Sequence, residues 1–274
     1  MHHRGYRAIG IIVAGVALGY AVPTQAQQYR TTPARPDSAI DSAAVSALKG
    51  MSSYLRTLST FQVHADITTE DVLLDGQKIT TMNVAELVAR RPDRLRLDVK
   101  NDKQRRLYFF DGKNFTLFAP ISSYYATVPA PSTIIALADK LEDDYGITLP
   151  FVDLFRWGSP DRGAEALTEA LTGAVDIGAS VVEGVTCEQY AFRQDGLDWQ
   201  VWIQEGDYPL PRRVVLTTLT DPARPQYTAT YTWNLAPSLS DDAFVFDPPK
   251  DAKPITFDVL TIKGRPLSAA EKKP

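Results

Sequence analysis

Apolar and polar residues alternate with a period of two along most of this chain. Phe61, Val63, Ala65 and Ile67 alternate with Gln62, His64, Asp66 and Thr68, the spacing of a strand with one face buried. Asp75-Gly76 marks a turn, and residues from about Lys78 to Arg90 read as the returning strand. After a break at Arg91-Pro92-Asp93, Leu95, Leu97 and Val99 alternate with Arg94, Arg96, Asp98 and Lys100. The second half repeats the pattern. Val175, Ile177, Ala179 and Val181 are answered by Val185 to Arg193 around Glu183-Gly184, and Trp199, Val201 and Ile203 follow the Asp195-Gly196 turn. A strand then covers Arg213 to Thr220, and Tyr227, Ala229, Tyr231, Trp233 and Leu235 alternate with Thr228, Thr230, Thr232 and Asn234. About ten or eleven strands with short turns between them point to antiparallel sheet.

Helical spacing replaces this alternation in two regions. Near the start, Asp37 reads as an N-cap, and Ile40, Ala44, Ala47, Leu48, Met51, Leu55 and Leu58 recur every three or four residues. Gly50 weakens that helix by about 1 kcal/mol relative to Ala, so it depends on docking. In the middle, Ser132 caps a predicted helix with Ile134, Leu137, Ala138 and Leu141 on its apolar face, ending near Tyr145-Gly146. Leu149 to Trp157 is a short apolar segment, and Ser159-Pro160-Asp161 opens another helix whose face is Ala164, Leu167 and Leu171. Together these form a helical insertion of about forty residues in an otherwise all-β chain.

Between the two regions lies a hairpin rich in rings. Arg105 to Pro131 carries seven of the 27 aromatic residues, turning at Asp111-Gly112-Lys113-Asn114. Tyr108 and Phe110 fall on one face and Leu107 and Phe109 on the other, so both faces are apolar and both need cover. Two uses of such a surface stay open. The rings Tyr108, Phe110, Phe118, Tyr124, Tyr125, Trp199, Tyr231 and Trp233, with Val201, are either ordinary core or the lining of a cavity for a lipid or acyl chain. In the second case Ile134, Leu137 and Leu141 are candidates for a lid.

Composition narrows the setting. The basic start with Arg4 and Arg7, the apolar run Ile9 to Val22 and the small residue Ala26 read as a signal peptide over residues 1–26, with a polar linker over 27–36. The fourteen-residue run is short of the roughly 18 to 20 needed to span a bilayer, although an uncleaved anchor is the alternative. No cysteine follows that run, so acylation as a lipoprotein is not expected there. Without residues 1–26 the chain holds 27 basic and 33 acidic side chains, a sign that argues against nucleic acid as a partner. The one cysteine, Cys187, leaves no intrachain disulfide. A soluble periplasmic protein is expected, with a single domain over 37–260 and a flexible tail over 261–274.

Little catalytic chemistry is visible. After cleavage His64 is the one histidine, on the polar side of its strand, and no HExxH, GxSxG or phosphate-binding loop occurs. Cys187 reads as a buried, inert thiol, and Glu70-Asp71, Glu142-Asp143-Asp144 and Asp241-Asp242 fall at turns or helix ends. No metal or cofactor is expected, and a hydrolase is a remote alternative. Arg90, Arg94 and Arg96, with Arg91, Arg105 and Arg106 nearby, form either a rim for an anionic head group or acidic partner, or a solvated strand face interleaved by Asp93, Asp98 and Asp102.

The run Ala89-Arg90-Arg91-Pro92-Asp93-Arg94-Leu95-Arg96, then YFFDGKNFTLFAP, SSYYATVPAPSTI and DDYGITLPFVDL, resembles a bacterial family of predicted periplasmic proteins, domain of unknown function 2092, over about Leu48 to Pro254. More distantly, the first helix, the meander, the helical insertion and the ending DDAFVFDPP resemble the lipoprotein carrier LolA, the receptor LolB and the sensor RseB. That wider resemblance implies a half-open antiparallel β-barrel whose concave apolar face is covered by helices and holds acyl chains. It also implies a lipid, a lipoprotein or an envelope protein as partner, with transient membrane contact. An arginine inside the barrel holds LolA's lid shut, but no arginine here lies in a motif that carries that role over. The expected function is therefore a non-catalytic carrier of a lipid or lipoprotein, the alternative being an envelope sensory or structural protein that binds a protein partner without lipid.

Overall fold

The computed structural model describes residues 40–159, 163–258, 261–262 and 265–266 of the 274. The expected signal peptide and linker, Asp37 and most of the 261–274 tail lie outside the described residues. Helix α1 (Ser42–Thr57) precedes six strands: β1 (Thr60–Val72), β2 (Lys78–Arg90), β3 (Arg94–Lys100), β4 (Arg105–Phe110), β5 (Asn114–Ala119) and β6 (Tyr124–Pro129). The middle of the chain is helical, with α2 (Ile134–Tyr145), α3 (Val152–Trp157) and α4 (Gly163–Glu169). Five strands follow: β7 (Leu171–Val182), β8 (Val185–Gln194), β9 (Leu197–Gln204), β10 (Pro211–Thr218) and β11 (Gln226–Asn234). A 3-10 turn at Asp241–Phe244 leads to the short β12 (Lys253–Pro254).

These twelve strands form one open sheet, in the order β12-β6-β5-β4-β3-β2-β1-β11-β10-β9-β8-β7, separate from the two-stranded pairing of Thr261–Ile262 with Arg265–Pro266. Its two ends do not meet, and it holds twelve strands rather than ten or eleven. The added strand is β12, two residues paired in parallel with β6, too short to show any alternation. Every other neighbouring pair is antiparallel, and the first and second halves join where β1 pairs with β11.

The period of two decides which face is covered. Phe61, Val63, Ala65, Leu87, Leu95, Leu97, Phe110, Val201 and Tyr231 point to one side and form a single core with Leu48, Met51 and Leu55 of α1 and Ile134, Leu137 and Leu141 of α2. The opposite face is mostly polar but carries a second apolar cluster. Leu107, Phe109 and Phe118 are buried there beneath Phe246, whose ring centroid lies 5.3 Å from Phe109, 5.3 Å from Phe118 and 5.1 Å from Tyr125. The ring-rich hairpin therefore has cover on both faces, and the C-terminal segment supplies the outer cover. That segment then follows the β6 edge and returns to the inner side, where Phe257 lies 6.4 Å from Phe115 and 5.3 Å from Tyr145.

Three helix boundaries differ from the sequence reading. The N-cap of α1 is Asp41, whose carboxylate accepts from Ala43 N at 2.8 Å. Ile40 is extended and half exposed, bridging to Ala174, so it does not join the helical face. Thr133, not Ser132, caps α2, its hydroxyl oxygen accepting from Ala136 N at 3.1 Å. Leu171 belongs to β7 and pairs with Gln194, leaving Ala164 and Leu167 on α4. Both α1 and α2 begin where a side-chain oxygen satisfies a first-turn amide.

The β1–β2 hairpin outreaches its neighbours. Pairing of β1 with β11 stops at Thr69↔Tyr227, and pairing of β2 with β3 stops at Val84↔Lys100. Residues 70–80 are thus a two-stranded ribbon whose Leu73, Leu74 and Ile79 are exposed, and Met82 is exposed at its base. Among the described residues no helix is long and apolar enough to cross a membrane.

Candidate functional site

The helices cover the inner face of the sheet unevenly. Side chains of α1 and α2 fill one end of it. At the other end, beneath α3, lies a cavity of about 800 Å³. Its floor is built from strands on both sides of the β1–β11 junction: Ile67, Val99 and Tyr108 from one half of the sheet, and Trp199, Val214, Leu216, Tyr227 and Tyr231 from the other. Strands β4 and β9 stand six positions apart, which in a flat sheet is about 29 Å at roughly 4.8 Å per strand. Tyr108 and Trp199 nevertheless line one cavity, so the sheet curls around it.

The roof runs from Thr148 to Trp157, with Leu167 and Ala170 beside it. Leu149, Phe151, Val152 and Leu154 are buried, and Phe151 enters α3 with φ 62°, a left-handed conformation unusual for a large side chain. Its ring meets Tyr231 edge-on at 6.1 Å, and Trp157 stacks on Trp199 at 6.5 Å, so the roof rests on the floor through aromatic contacts.

Several polar contacts pin the roof. The Arg91 guanidinium, just past the end of β2, donates to the Leu154 and Gly158 carbonyls, each at 3.2 Å, and lies 5.3 Å from the Phe155 ring. Burial lowers the Arg91 pKa from its ordinary value, yet charge-assisted bonds and two aromatic faces hold the side chain in place. Ser52 of α1 donates to the Trp157 carbonyl at 2.5 Å. Arg156 pairs with Asp139 at 2.9 Å and Glu142 at 3.6 Å on α2. A Cβ on Gly158 would meet the α1 backbone at 3.0 Å, a tight contact, so glycine suits the point where the two helices meet.

The lining is apolar with a few polar groups. Asn83, Gln104, Arg106 and Gln194 border it, and the Arg106 guanidinium interacts with the Tyr108 hydroxyl. Burial pushes the Tyr108 phenol up, and the Arg106 charge and hydrogen bond oppose this. Tyr227 and Tyr231 share a face of β11, with their hydroxyls hydrogen-bonded to each other. Burial, with the Asp153 charge adding to it, pushes Tyr227 up to about 12. Tyr231 is likewise raised well above the ordinary phenol range, chiefly by burial. Asp153 keeps accessible surface inside the cavity while protein surrounds it, and this burial raises its carboxyl, with Arg156 opposing.

Of the nine cavity candidates, the structure places Tyr108, Trp199 and Tyr231 on the lining. Phe110 and Val201 are buried in the core at the filled end, and Trp233 packs 5.6 Å from Phe61, its indole donating to the Pro211 carbonyl at 2.9 Å. Phe118 and Tyr125 face outward beneath Phe246. They do so because the hairpin pairs Leu107 with Phe118 and Phe118 with Tyr125, and paired residues share a face. Tyr124 is 42% exposed on β6, paired with Lys253 of the edge strand β12. Ile134, Leu137 and Leu141 are core residues of α2 and do not border the cavity, whose roof is α3.

The three rim candidates lie elsewhere. Arg90 pairs with Asp241 at 2.6 Å and lies 5.2 Å from the Phe244 ring, Arg94 pairs with Asp93 at 2.8 Å, and Arg96 lies 5.5 Å from the Phe109 ring. Arg94 and Arg96 alternate with Leu95 and Leu97, so they take the opposite face. The cations on the lining are Arg106 and Arg156. Sequence reasoning also missed Tyr227, Asp153 and the roof. A lone carboxylate inside the apolar run LPFVDLFRW was the available signal.

Other reactive groups sit outside the cavity. His64 lies on the polar face, 2.5 Å from Glu86, and Cys187 is buried with its thiol raised by burial. Glu70 and Asp241 hold ion pairs that lower their carboxyls through hydrogen bonds from Lys78 and Arg90. Among the described residues no group of three His, Cys, Asp or Glu side chains could hold a metal ion.

A family profile described as predicted periplasmic protein (DUF2092) matches residues 44–258. Among solved structures, the chain is similar to LprF from Mycobacterium bovis at 14% identity and TM-score 0.44, covering 78% of this chain and 99% of that one. It is similar to an uncharacterized conserved protein from Thermus thermophilus at 11% identity and TM-score 0.42, covering 78% and 99%. MucB is similar at 12% identity and TM-score 0.41, covering 76% and 65%. Among curated proteins, none matches the chain.

Proposed function

The chain belongs to the DUF2092 family of predicted periplasmic proteins, and we propose that it is a non-catalytic periplasmic binding protein holding a lipid, an acyl chain or the acyl groups of a lipoprotein in the cavity under α3. The observation that carries this reading is the cavity of about 800 Å³, left beneath α3 while α1 and α2 fill the rest of the inner face. Its size is that of a small-molecule site, and Ile67, Val99, Trp199, Val214 and Leu216 offer an apolar wall. Each methylene enclosed is worth about 0.8 kcal/mol. Ten buried methylenes thus supply about 8 kcal/mol before the cost of ordering the chain, enough for binding without a reactive residue. The titratable groups on the lining include an aspartate, tyrosines and arginines, suited to orienting a polar group.

The test is native mass spectrometry of the exported protein purified without detergent, followed by organic extraction. A stoichiometric lipid, lost in a folded Leu216→Glu variant, supports carriage. A clean apo mass with no uptake of added acyl lipids refutes it.

The ribbon of residues 70–80 favours a second reading, in which an envelope protein partner docks on exposed Leu73 and Leu74. Under that reading Leu74→Asp abolishes co-purification of the partner while any cavity lipid is retained.

A further inference from the structure

The roof of the cavity carries a carboxylate where a site for bare hydrocarbon would carry another methyl group. Asp153 stands between Val152 and Leu154, and all three line the cavity. Asp153 keeps solvent-accessible surface there, whereas its two neighbours are buried. Tyr227 and Tyr231 face it from the floor on β11, close enough to feel its charge, with their hydroxyls bonded to each other. From its own helix it feels Arg156, whose guanidinium is held by Asp139 at 2.9 Å and Glu142 at 3.6 Å. Arg106, the other lining cation, lies by Tyr108 on β4, four strand positions from β11. Among the described residues no hydrogen bond or ion pair engages the Asp153 carboxylate.

A ligand of hydrocarbon alone would displace water from this carboxylate and return nothing, a costly exchange for an ionised group. A ligand with an N–H or O–H at the same depth would return a charge-assisted hydrogen bond. We propose that the cavity selects amphiphiles that bring a hydrogen-bond donor, an ammonium or a hydroxyl, against Asp153, and disfavours those whose one polar group is a carboxylate. This rests on the acyl-binding reading above and adds the polarity of the cargo to it. Arg156 does not substitute for the ligand's donor: its Nη2 reaches Asp139 and Glu142, its Nε is buried without a hydrogen-bond partner, and no bond from the guanidinium reaches Asp153.

Trp157 and Trp199 line the cavity, so their fluorescence reports its occupation. Decylamine, decanol and decanoate share a tail and differ in the head, and each is titrated at neutral pH into the wild type and Asp153→Asn. The expected order is amine, then alcohol, then acid, with about a tenfold gap or more between amine and acid. Asp153→Asn should narrow that gap, retain the alcohol and bind the acid more tightly. Equal affinity for all three in the wild type, or an amine preference unchanged in Asp153→Asn, overturns the inference while leaving acyl binding intact. Failure of all three to bind either protein refutes acyl binding, and the inference falls with it.

Discussion

The guanidinium of Arg91 donates to the carbonyl of Leu154 across 3.2 Å, tying the end of the second strand to the helix that roofs the cavity. The same group bonds the Gly158 carbonyl and lies over Phe155, so one side chain holds the C-terminal half of α3. Replacing it with Met keeps apolar bulk but leaves two carbonyls without their donor, a loss of about 1 to 3 kcal/mol. Arg91→Met should lower the urea midpoint and speed amide exchange in residues 151–157 more than in β1. Uniform exchange across both segments would mean that Arg91 does not specifically hold the roof.

Asp153 sets a pH dependence whose sign follows from its burial. Its carboxyl is held above the ordinary range, chiefly by desolvation, so the folded chain binds this proton more tightly than the unfolded chain. The stability linked to it is full below the unfolded value of about 3.9 and falls as pH rises through the folded value. Asp153→Asn should therefore raise Tm at pH 7 and change it less near pH 4, in thermal melts of ligand-free protein. A drop in Tm at pH 7 would show that the ionised carboxylate stabilises the empty fold.

Phe246 seals the outer apolar cluster and has no part in the cavity. It is partly exposed, so Phe246→Ala should cost about 1 to 3 kcal/mol, less than a fully buried phenylalanine. Ligand uptake by the folded fraction should be unchanged. Loss of uptake without loss of stability would place Phe118 and Tyr125 in the ligand path.

What could be read from the chain, and what could not, divides along physical lines. Alternation identified the strands because a half-buried strand must alternate, and both covers on the Leu107-to-Phe110 strand followed from it. The outward placement of Phe118 depended on register, which pairs Phe110 with Phe115 across the Asp111-Gly112 turn; counting back from that turn would have put Phe118 beside Leu107. Arg94 and Arg96 were legible as outward from their own alternation. The roof was not, because six residues of α3 are too few to show helical periodicity, and its pinning by Arg91 joins residues 63 positions apart. The curl that brings Tyr108 and Trp199 to one cavity is a property of the whole sheet and has no local signature.

The exposed Leu74 at the ribbon tip separates the two readings of function. Leu74→Asp should leave unfolding free energy within about 0.5 kcal/mol of the wild type, because an exposed tip contributes little to the core. If this variant also binds decylamine as the wild type does, docking and cargo binding are separate properties of the chain. A weaker decylamine affinity in titrations would tie the tip to the cavity itself.

Whether the cavity beneath α3 holds a lipid is decided by what travels with the purified protein. Native mass spectrometry of the protein purified without detergent, with organic extraction and lipid analysis, is the decisive measurement. A stoichiometric adduct is expected that disappears in folded Leu216→Glu and persists in Phe246→Ala. An unliganded mass for the wild type, unchanged after incubation with decylamine, decanol and long-chain lipids, would contradict lipid binding.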